Sequence, residues 1–311
     1  MGTPGPRSND SRTAAEPACI TTIVDTVASI VPKLRTAFET HRSYESEYNP
    51  SGEEMLAADV YADELLESRL GNLDCIGTYA SEERADPIQV GSGLSVAVDP
   101  LDGSSNLGSN NGVGTIVGIY DGTLPASGHD LVGAMYVLYG PTTTAMVATD
   151  DGVTEYLLSD GDREVLTPSV SLPETGTVYG FGGPVPEWPS AFRRYAMSVQ
   201  RRLKRRYGGA LVADVNQVLS HGGVFAYPSL ETRPSGKLRL QFEANPIAYI
   251  VEQADGLSYQ GSTSILETEP KRLHQRTPLF VGSPDPLAEL IETMGGRSTP
   301  PTITTRHSPW G

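Results

Sequence analysis

Two short hydrophobic strands that flank a polar turn constrain the fold of this chain more than any other feature. Residues 95–98 and 114–120 are rich in β-branched side chains and are bounded by Gly, Pro and Asp, which is typical of strands. Residues 99–106, between them, read Asp-Pro-Leu-Asp-Gly-Ser-Ser-Asn. The pattern predicts a polar loop at the end of a sheet strand, which is where binding sites form.

Helices and further strands are predicted on both sides of this turn. Apolar residues recur at helical spacing in residues 20–38, despite Pro32, and again in residues 53–70. Further strands are expected at 131–139, 142–149, 153–158 and 237–242, and a further helix at 190–203. Periodicity alone therefore predicts a mixed α and β protein.

The length of 311 residues favours two subdomains, or one large layered α/β domain. Residues 1–16 hold Pro, Gly, Ser and charges without apolar periodicity, so we expect a disordered tail. Pro and Gly are dense at 168–189, where we place the boundary between the two subdomains. The expected division is an N-terminal subdomain at 17–175, a C-terminal subdomain at 176–296 and a second tail at 297–311.

The net charge of −15 argues against sequence-independent nucleic-acid binding, because phosphate backbones demand a basic face. Most positive charges are arginines. The few lysines are Lys33, Lys204, Lys237 and Lys271. This bias fits a high-salt cytosol, but an acidic surface is also an ordinary route to solubility, and both readings stay open.

We expect a cytoplasmic protein that does not enter a membrane. No apolar run approaches the roughly 18–20 residues that a spanning helix needs, and residues 1–16 hold no signal-peptide core. Cys19 and Cys75 form neither a metal cluster nor a disulfide framework, which fits a reducing compartment. A single disulfide between them stays open.

The polar turn has the chemistry of a site for a metal and a phosphate. Asp99 and Asp102, three residues apart, can converge on one cation, and the N–H groups of residues 103–105 can form a nest for an anion. Glu82-Glu83 alone is an ordinary surface pair. Together with this turn, the pair indicates a Mg²⁺ site of the kind that bridges carboxylates to phosphate oxygens.

Two later segments bring cations to this chemistry. If residues 237–242 form a strand, alternation places Lys237, Arg239, Gln241 and Glu243 on one face, so a cation and an anion share a cleft. Residues 201–206 form a basic run. Such a run is most often a solvated face, although in an acidic chain it can also guide a dianionic substrate.

With these motifs, residues 20–294 resemble the fructose-1,6-bisphosphatase family, within the lithium-sensitive sugar and inositol phosphatase superfamily. The resemblance implies a layered α/β/α/β/α fold with two mixed sheets. It also implies a metal- and phosphate-binding N-terminal subdomain, a sugar-binding C-terminal subdomain, and a homo-oligomer, either dimer or tetramer. The expected cofactor is Mg²⁺, two or more per subunit, with Mn²⁺ as a substitute.

The resemblance also assigns roles to individual residues. The implied metal ligands are Glu82, Glu83, Asp99, Asp102, Glu243 and the carbonyl of Leu101. Asp59 and Glu83 would prepare the attacking water, with Glu53 near the nucleophile. The cleaved phosphate would be bound by Asp102, Gly103, Ser104 and Ser105. The sugar and its second phosphate would be bound by Lys237, Tyr207, Tyr227 and Arg206, the last acting across a subunit interface.

The implied activity is hydrolysis of the 1-phosphate of fructose 1,6-bisphosphate, giving fructose 6-phosphate and phosphate in gluconeogenesis. Residues 179–185 lack the Asn and Tyr that family members usually direct at the distal phosphate. A sedoheptulose-1,7-bisphosphatase, which residues 214–217 slightly favour, or a broader sugar and inositol phosphatase therefore stays open. A non-catalytic sugar-phosphate sensor is the remote alternative.

Overall fold

A computed structural model describes residues 10–41, 43–50, 52 and 54–295 of the chain. Its six helices within this range are α1 Asp10–Thr40, α2 Ala57–Leu70, α3 Ser190–Gln200, α4 Leu211–His221, α5 Asn245–Gln253 and α6 Pro284–Thr293.

Helices α1 and α2 begin at different residues from those predicted. Helix α1 begins at Asp10, inside the expected tail, because residues 10–16 include the good helix formers Ala and Glu. Helix α2 begins at Ala57 rather than at residue 53. A short antiparallel pair, β1 Tyr44–Tyr48 and β2 Glu54–Leu56, precedes it, and the Leu56 N–H donates to Asp59 Oδ2 at 2.8 Å, which fixes the start of the helix.

The larger sheet has eight strands in the order β10-β9-β8-β7-β6-β5-β3-β4. The strands are β3 Ile76–Ser81, β4 Ile88–Gln89, β5 Leu94–Asp102, β6 Val113–Tyr120, β7 Leu131–Tyr139, β8 Thr143–Thr149, β9 Gly152–Ser159 and β10 Asp162–Thr167. Neighbours are antiparallel except β3 and β5, which are parallel and pair Ser81 with Val98. The carboxyl ends of β3 and β5 therefore lie side by side.

The second sheet has five strands in the order β12-β11-β13-β17-β15. The strands of the C-terminal half are β11 Val178–Phe181, β12 Lys204–Arg205, β13 Gly223–Tyr227, β14 Leu238–Arg239, β15 Leu257–Tyr259, β16 Arg276–Thr277 and β17 Leu279–Gly282. Strand β11 is parallel to both of its neighbours, and β17 is antiparallel to both of its own. Strands β14 and β16 form a separate antiparallel pair.

Three apolar clusters arrange these elements in five layers. Helices α1 and α2 pack on one face of the large sheet, α4 and α5 fill the space between the two sheets, and α3 and α6 cover the outer face of the second sheet. The mixed α/β fold with an α/β/α/β/α layering is therefore confirmed.

The strand predicted at 237–242 is wrong beyond its first residues. The extended segment β14 covers only Leu238–Arg239, and a π-helical turn, Leu240–Ala244, leads directly into α5. Strand alternation therefore fails after Arg239. The Gln241 side chain accepts a hydrogen bond from the Ala126 N–H at 2.9 Å, away from the cleft that it was expected to share.

Helix α1 modifies two further expectations. By length and composition alone, its segment Glu16–Thr40 could cross a membrane, although half of the apolar window is buried in the protein. Ala, Ser and Thr interrupt its apolar residues, which is why an uninterrupted run is absent from the sequence. Cys19 of α1 forms a disulfide with Cys75, just before β3, so the pairing left open by the sequence is present.

Candidate active site

A cavity of about 240 Å³ lies where the carboxyl ends of β3 and β5 meet the start of α4 and the β14 segment. Its lining residues are Asn49, Met55, Asp59, Glu82, Glu83, Asp99, Leu101, Asp102, Gly103, Ser104, Ser105, Tyr207, Gly209, Leu211, Asp214, Phe225, Tyr227, Lys237, Leu238, Arg239 and Glu243. Carboxylates outnumber the cationic side chains of Lys237 and Arg239 along this lining, so one end of the cavity is strongly acidic.

Sheet register brings the acidic residues together. Because Ser81 pairs with Val98 across the parallel strands, Glu82 and Glu83 emerge beside Asp99. Asp59 reaches the same place from the first turn of α2. The paired carboxylates, which are ordinary in sequence, are thus placed by the only parallel pairing within the described part of the large sheet.

Three buried carboxylates converge closely enough to share a cation. One oxygen each of Glu82, Asp99 and Glu243 lies within 4.8 Å of the others. Glu243 comes from the π-helical turn, about 140 residues later in the chain than Asp99. A hard cation such as Mg²⁺ takes oxygen ligands of this kind.

Burial and mutual repulsion disfavour the ionised forms of these acids. Burial, followed by the charges of Glu82 and its neighbours, raises the pKa of Asp99 well above its ordinary range. Burial also raises the pKa of Asp102 to about 7, although N–H groups of Val212 and Leu211 oppose this shift. Burial and then Asp59 raise the pKa of Glu83 to about 8. A bound cation would reverse these shifts.

Arg239 supplies positive charge inside the acidic cluster. Its side chain is 3% exposed and lies 3.0 Å from Glu82 Oε1 and 3.9 Å from Glu243 Oε2. The Arg239 backbone N–H also donates to Glu243 Oε2 at 2.5 Å. Arg239 therefore holds two carboxylates of the cluster in place.

Residues 102–106, the last part of the polar turn, pack against the start of α4. Gly103 has φ 71°, a left-handed conformation that favours glycine. A Cβ at this position would lie 2.4 Å from Ala210 Cβ. The Asp102 carboxylate accepts hydrogen bonds from Leu211 and Val212 N–H at 3.1 and 2.7 Å. The turn predicted to bind phosphate is thus held on the first turn of a helix.

The lining of the cavity also presents hydroxyl and ammonium groups. Tyr207 and Tyr227 both line it, and Lys237 Nζ lies 5.5 Å from the centre of the Tyr227 ring. Burial, and to a smaller extent Tyr227 and nearby acids, raises the pKa of Tyr207 to about 12, so the Tyr207 hydroxyl stays neutral. The cavity therefore offers ammonium and hydroxyl groups as well as carboxylates, which suits a substrate with two anionic groups.

Not all predicted site residues lie in this cavity. Gln241, expected on the same face as Lys237, is absent from the lining. Arg206 is exposed and does not line it either, so its role across a subunit interface stays a prediction. Glu53 lies outside the described residues. The His274 Nε2–H donates a hydrogen bond to the Arg84 carbonyl at 2.8 Å, in keeping with a structural role.

Among the polar side chains that line the cavity, Asn49 had no role in the sequence reasoning, and Asp214 entered it only within residues 214–217. Asn49 is hydrogen-bonded to Glu83, yet nothing in its local sequence marks it. Asp214 accepts from Gly208 and Gly209 N–H, and a Gly-Gly pair followed shortly by an aspartate was the available signal.

Family comparisons agree with this geometry. The family model described as fructose-1-6-bisphosphatase, N-terminal domain, matches residues 14–165, and the one for the C-terminal domain matches residues 172–295. The chain belongs to the fructose-1,6-bisphosphatase family. As a member of the fructose-1,6-bisphosphatase family, it is a hydrolase that acts on phosphoric monoesters.

Curated relatives and a solved structure from the fructose-1,6-bisphosphatase family resemble most of the chain. A class 1 fructose-1,6-bisphosphatase of Natronomonas pharaonis is 56% identical over 271 residues, covering 86% of this chain and 96% of the relative. One of Haloarcula marismortui is 50% identical, covering 90% and 96%. The holo form of Leishmania major fructose-1,6-bisphosphatase is 28% identical with a TM-score of 0.85, covering 94% of this chain and all of that one.

Proposed function

We propose that the chain hydrolyses the 1-phosphate of fructose 1,6-bisphosphate to fructose 6-phosphate and phosphate. The observation that carries this proposal is one cavity that combines two kinds of group: three converging carboxylates with the amides of residues 103–105, and Lys237 with two tyrosines. The relatives named above are fructose-1,6-bisphosphatases, which supports the same substrate.

The donor set fits a hard divalent cation. Glu82, Asp99 and Glu243 offer oxygen atoms in one small space, and the Leu101 carbonyl lies on the same loop. The Oε2 atom of Glu83 is shielded from solvent and has no hydrogen-bond partner among the described residues. Such an atom is costly unless a ligand satisfies it. We therefore assign Glu82, Glu83, Asp99, Asp102, Glu243 and the Leu101 carbonyl to Mg²⁺.

The chain's own groups divide the reaction between them. Bound Mg²⁺ would supply charge neutralisation for the phosphate oxygens and a more acidic water. Glu83 and Asp59 orient the attacking water and accept its proton. Backbone N–H groups of residues 103–105 hold the phosphate that is cleaved, while Lys237, Tyr207 and Tyr227 fix the other end of the sugar.

The sedoheptulose bisphosphatase alternative loses part of its support. Residues 214–217 slightly favoured it, but the Asn216 side chain accepts a hydrogen bond from the Tyr136 hydroxyl at 2.8 Å. Within the described residues, Asp214 is the sole member of that segment that lines the cavity. The segment therefore gives little information about sugar length.

Several broader properties belong to the same proposal. We propose a homo-oligomer in which Arg206 completes a neighbouring site, and a role in gluconeogenesis in the cytoplasm. The haloarchaeal relatives and the net charge of −15 support work at high salt.

Phosphate release from fructose 1,6-bisphosphate tests the proposal. We expect release with Mg²⁺, none with EDTA, and at least a hundredfold loss in Asp99→Asn and Glu83→Gln. Asp130→Asn, which removes a carboxylate bonded to Ser127 N–H in a distant turn, serves as a matched control with near-normal turnover. Faster release from sedoheptulose 1,7-bisphosphate or inositol 1-phosphate would show that this compound is the better substrate. No release from any of the three compounds would contradict the proposal.

A further inference from the structure

Asp214 is a buried carboxylate that the proposed chemistry does not use. It lies in the first turn of α4 and is 4% exposed. Its Oδ1 accepts from Gly208 N–H at 2.5 Å and its Oδ2 from Gly209 N–H at 3.0 Å. Burying a carboxylate is costly unless hydrogen bonds compensate, so this bidentate contact is a specific feature of the turn that precedes α4.

The role of Asp214 differs from that of an ordinary helix cap. The first N–H groups of α4, on Leu211 and Val212, have no acceptor within the helix and donate to Asp102 of the polar turn instead. Asp214 instead reaches backwards, out of the helix, to the two glycines that follow Tyr207. Gly209 has φ +87°, so this turn adopts a left-handed conformation that its backbone must hold.

The turn at residues 207–210 is held by hydrogen bonds on both of its sides. Asn106 and Asn111 donate to the Gly208 carbonyl at 3.0 and 3.2 Å, which ties one side of the turn to the catalytic loop. Asp214 holds the other side through the N–H groups. Tyr207, next to Gly208, also lines the cavity. The position of its hydroxyl therefore depends on the shape of the turn.

We propose that Asp214 is a positioning residue that fixes the 207–210 turn and so presents Tyr207 to the distal phosphate of a sugar bisphosphate. This inference rests on the proposed bisphosphatase function and deepens it. It assigns Asp214 to recognition of the sugar phosphate that is retained, and not to cleavage of the other phosphate.

Product inhibition separates the two ends of the site. Fructose 6-phosphate reports on the distal end, and inorganic phosphate reports on the end that cleaves. In Asp214→Asn, one of the two acceptors becomes an NH₂ donor facing an N–H group. We expect the KM for fructose 1,6-bisphosphate and the Ki for fructose 6-phosphate to rise about tenfold. The Ki for phosphate should change less than about twofold, and kcat less than about threefold.

A double-mutant cycle distinguishes positioning from a general structural role. Tyr207→Phe alone should raise the Ki for fructose 6-phosphate, and adding Asp214→Asn should raise it little further, because the contact is already lost. Asp285→Asn is the matched control, since Asp285 occupies the first turn of α6 and is exposed. It should leave all these constants unchanged.

The outcomes are distinct. Inactive wild-type protein would contradict the proposed function. If the wild type is active, three results would each overturn the inference alone. These are an unchanged Asp214→Asn variant, an equal rise of both Ki values in that variant, and fully multiplicative effects in the double-mutant cycle. Should Asp214→Asn fail to fold, Asp214→Glu retains the charge but displaces the turn, and the same selective rise in the fructose 6-phosphate Ki is expected.

Discussion

At the scale of single residues, Gly103 combines two demands in one position. Its φ is +71°, and a Cβ added there would lie 2.4 Å from Ala210 Cβ, so any side chain is strained in conformation and in space. We expect Gly103→Ala to lower the free energy of unfolding by about 2 to 5 kcal/mol. It should also lower kcat/KM at least tenfold, because the amides of the phosphate turn would shift. Denaturant unfolding and steady-state kinetics measure these effects.

Gly161→Ala is the control for this substitution. Gly161 has φ +90°, but its Cβ would meet Ser29 at an ordinary 3.6 Å. It should therefore show the conformational cost of about 1 to 2 kcal/mol without loss of activity. Equal losses of stability in the two variants would show that contact with Ala210 contributes nothing.

The raised pKa of Glu83 predicts that Mg²⁺ binding depends on pH. Burial and Asp59 raise this pKa from its ordinary value to about 8. Between these two pH values, the metal-free native protein retains a proton that the unfolded chain has released. The metal-free protein therefore loses stability as pH rises through this window, and Mg²⁺ must displace the proton to bind. We expect the rise in Tm caused by Mg²⁺ to be larger at pH 8.5 than at pH 6, measured by thermal unfolding.

Glu83→Gln provides the comparison for the pH series. This variant cannot release that proton, so the pH dependence of the Mg²⁺ effect should weaken, although Asp99 and Asp102 leave part of it in place. An effect of Mg²⁺ on Tm that is the same at both pH values in the wild type would refute the displacement of a proton.

The sequence predicted the acidic residues better than their supports. Asp99 and Asp102 are visible because a Gly-Ser turn follows a hydrophobic strand, and Glu82 with Glu83 gains meaning beside them. Asp214 and Asn49 could not be recognised in the same way. Their importance comes from hydrogen bonds to glycine N–H groups and to Glu83, which depend on how α4 and β1 are placed in space.

At the scale of elements, the disulfide joins α1 to the segment that leads into β3. Cys19 and Cys75 are 56 residues apart, and closing a loop of that size removes entropy from the unfolded chain. We expect the Cys19→Ser/Cys75→Ser double variant to be less stable by up to about 4 kcal/mol. Because neither cysteine lines the cavity, kcat should be preserved. Urea unfolding of both proteins, with and without dithiothreitol, measures the difference.

Dithiothreitol should lower the stability of the wild type toward that of the double variant and leave the variant unaffected. Coincident unfolding curves for the two proteins without reductant would mean that the disulfide does not form in solution.

Periodicity predicted regular elements well and irregular ones poorly. Strands β6, β7 and β9 match the predicted ranges within about one residue, because their β-branched runs end at clear turn residues. The segment after Arg239 failed, because a π-helical turn has neither the strand period nor the helix period. That turn carries Glu243 into the carboxylate cluster, so a proposed metal ligand lies where the local pattern is least informative.

At the scale of the whole molecule, the order of strands could not be obtained from periodicity. The meeting of Glu82 with Asp99 depends on β3 lying parallel beside β5, and the meeting of both with Glu243 depends on the packing of the π-helical turn against β5 and β6. Contacts of this kind join residues far apart in the chain. They were anticipated through the family resemblance, which contains the whole topology, and not through any local pattern.

The net charge of −15 predicts that stability depends on salt. Repulsion among surface carboxylates destabilises the compact state, and the Debye length falls from about 10 Å at 0.1 M salt to about 3 Å at 1 M. We expect Tm to rise by several degrees between 0.05 and 1 M KCl, and to continue rising above 1 M if the protein is adapted to high salt. Simple screening would instead reach a plateau, since little repulsion remains at that ionic strength.

A series in sucrose at matched osmolality separates charge screening from solute exclusion, because sucrose stabilises without screening. A Tm that falls with KCl while rising with sucrose would show that favourable ion pairs, such as Arg163 with Asp25 and Arg84 with Asp63, outweigh the repulsion of the acidic surface.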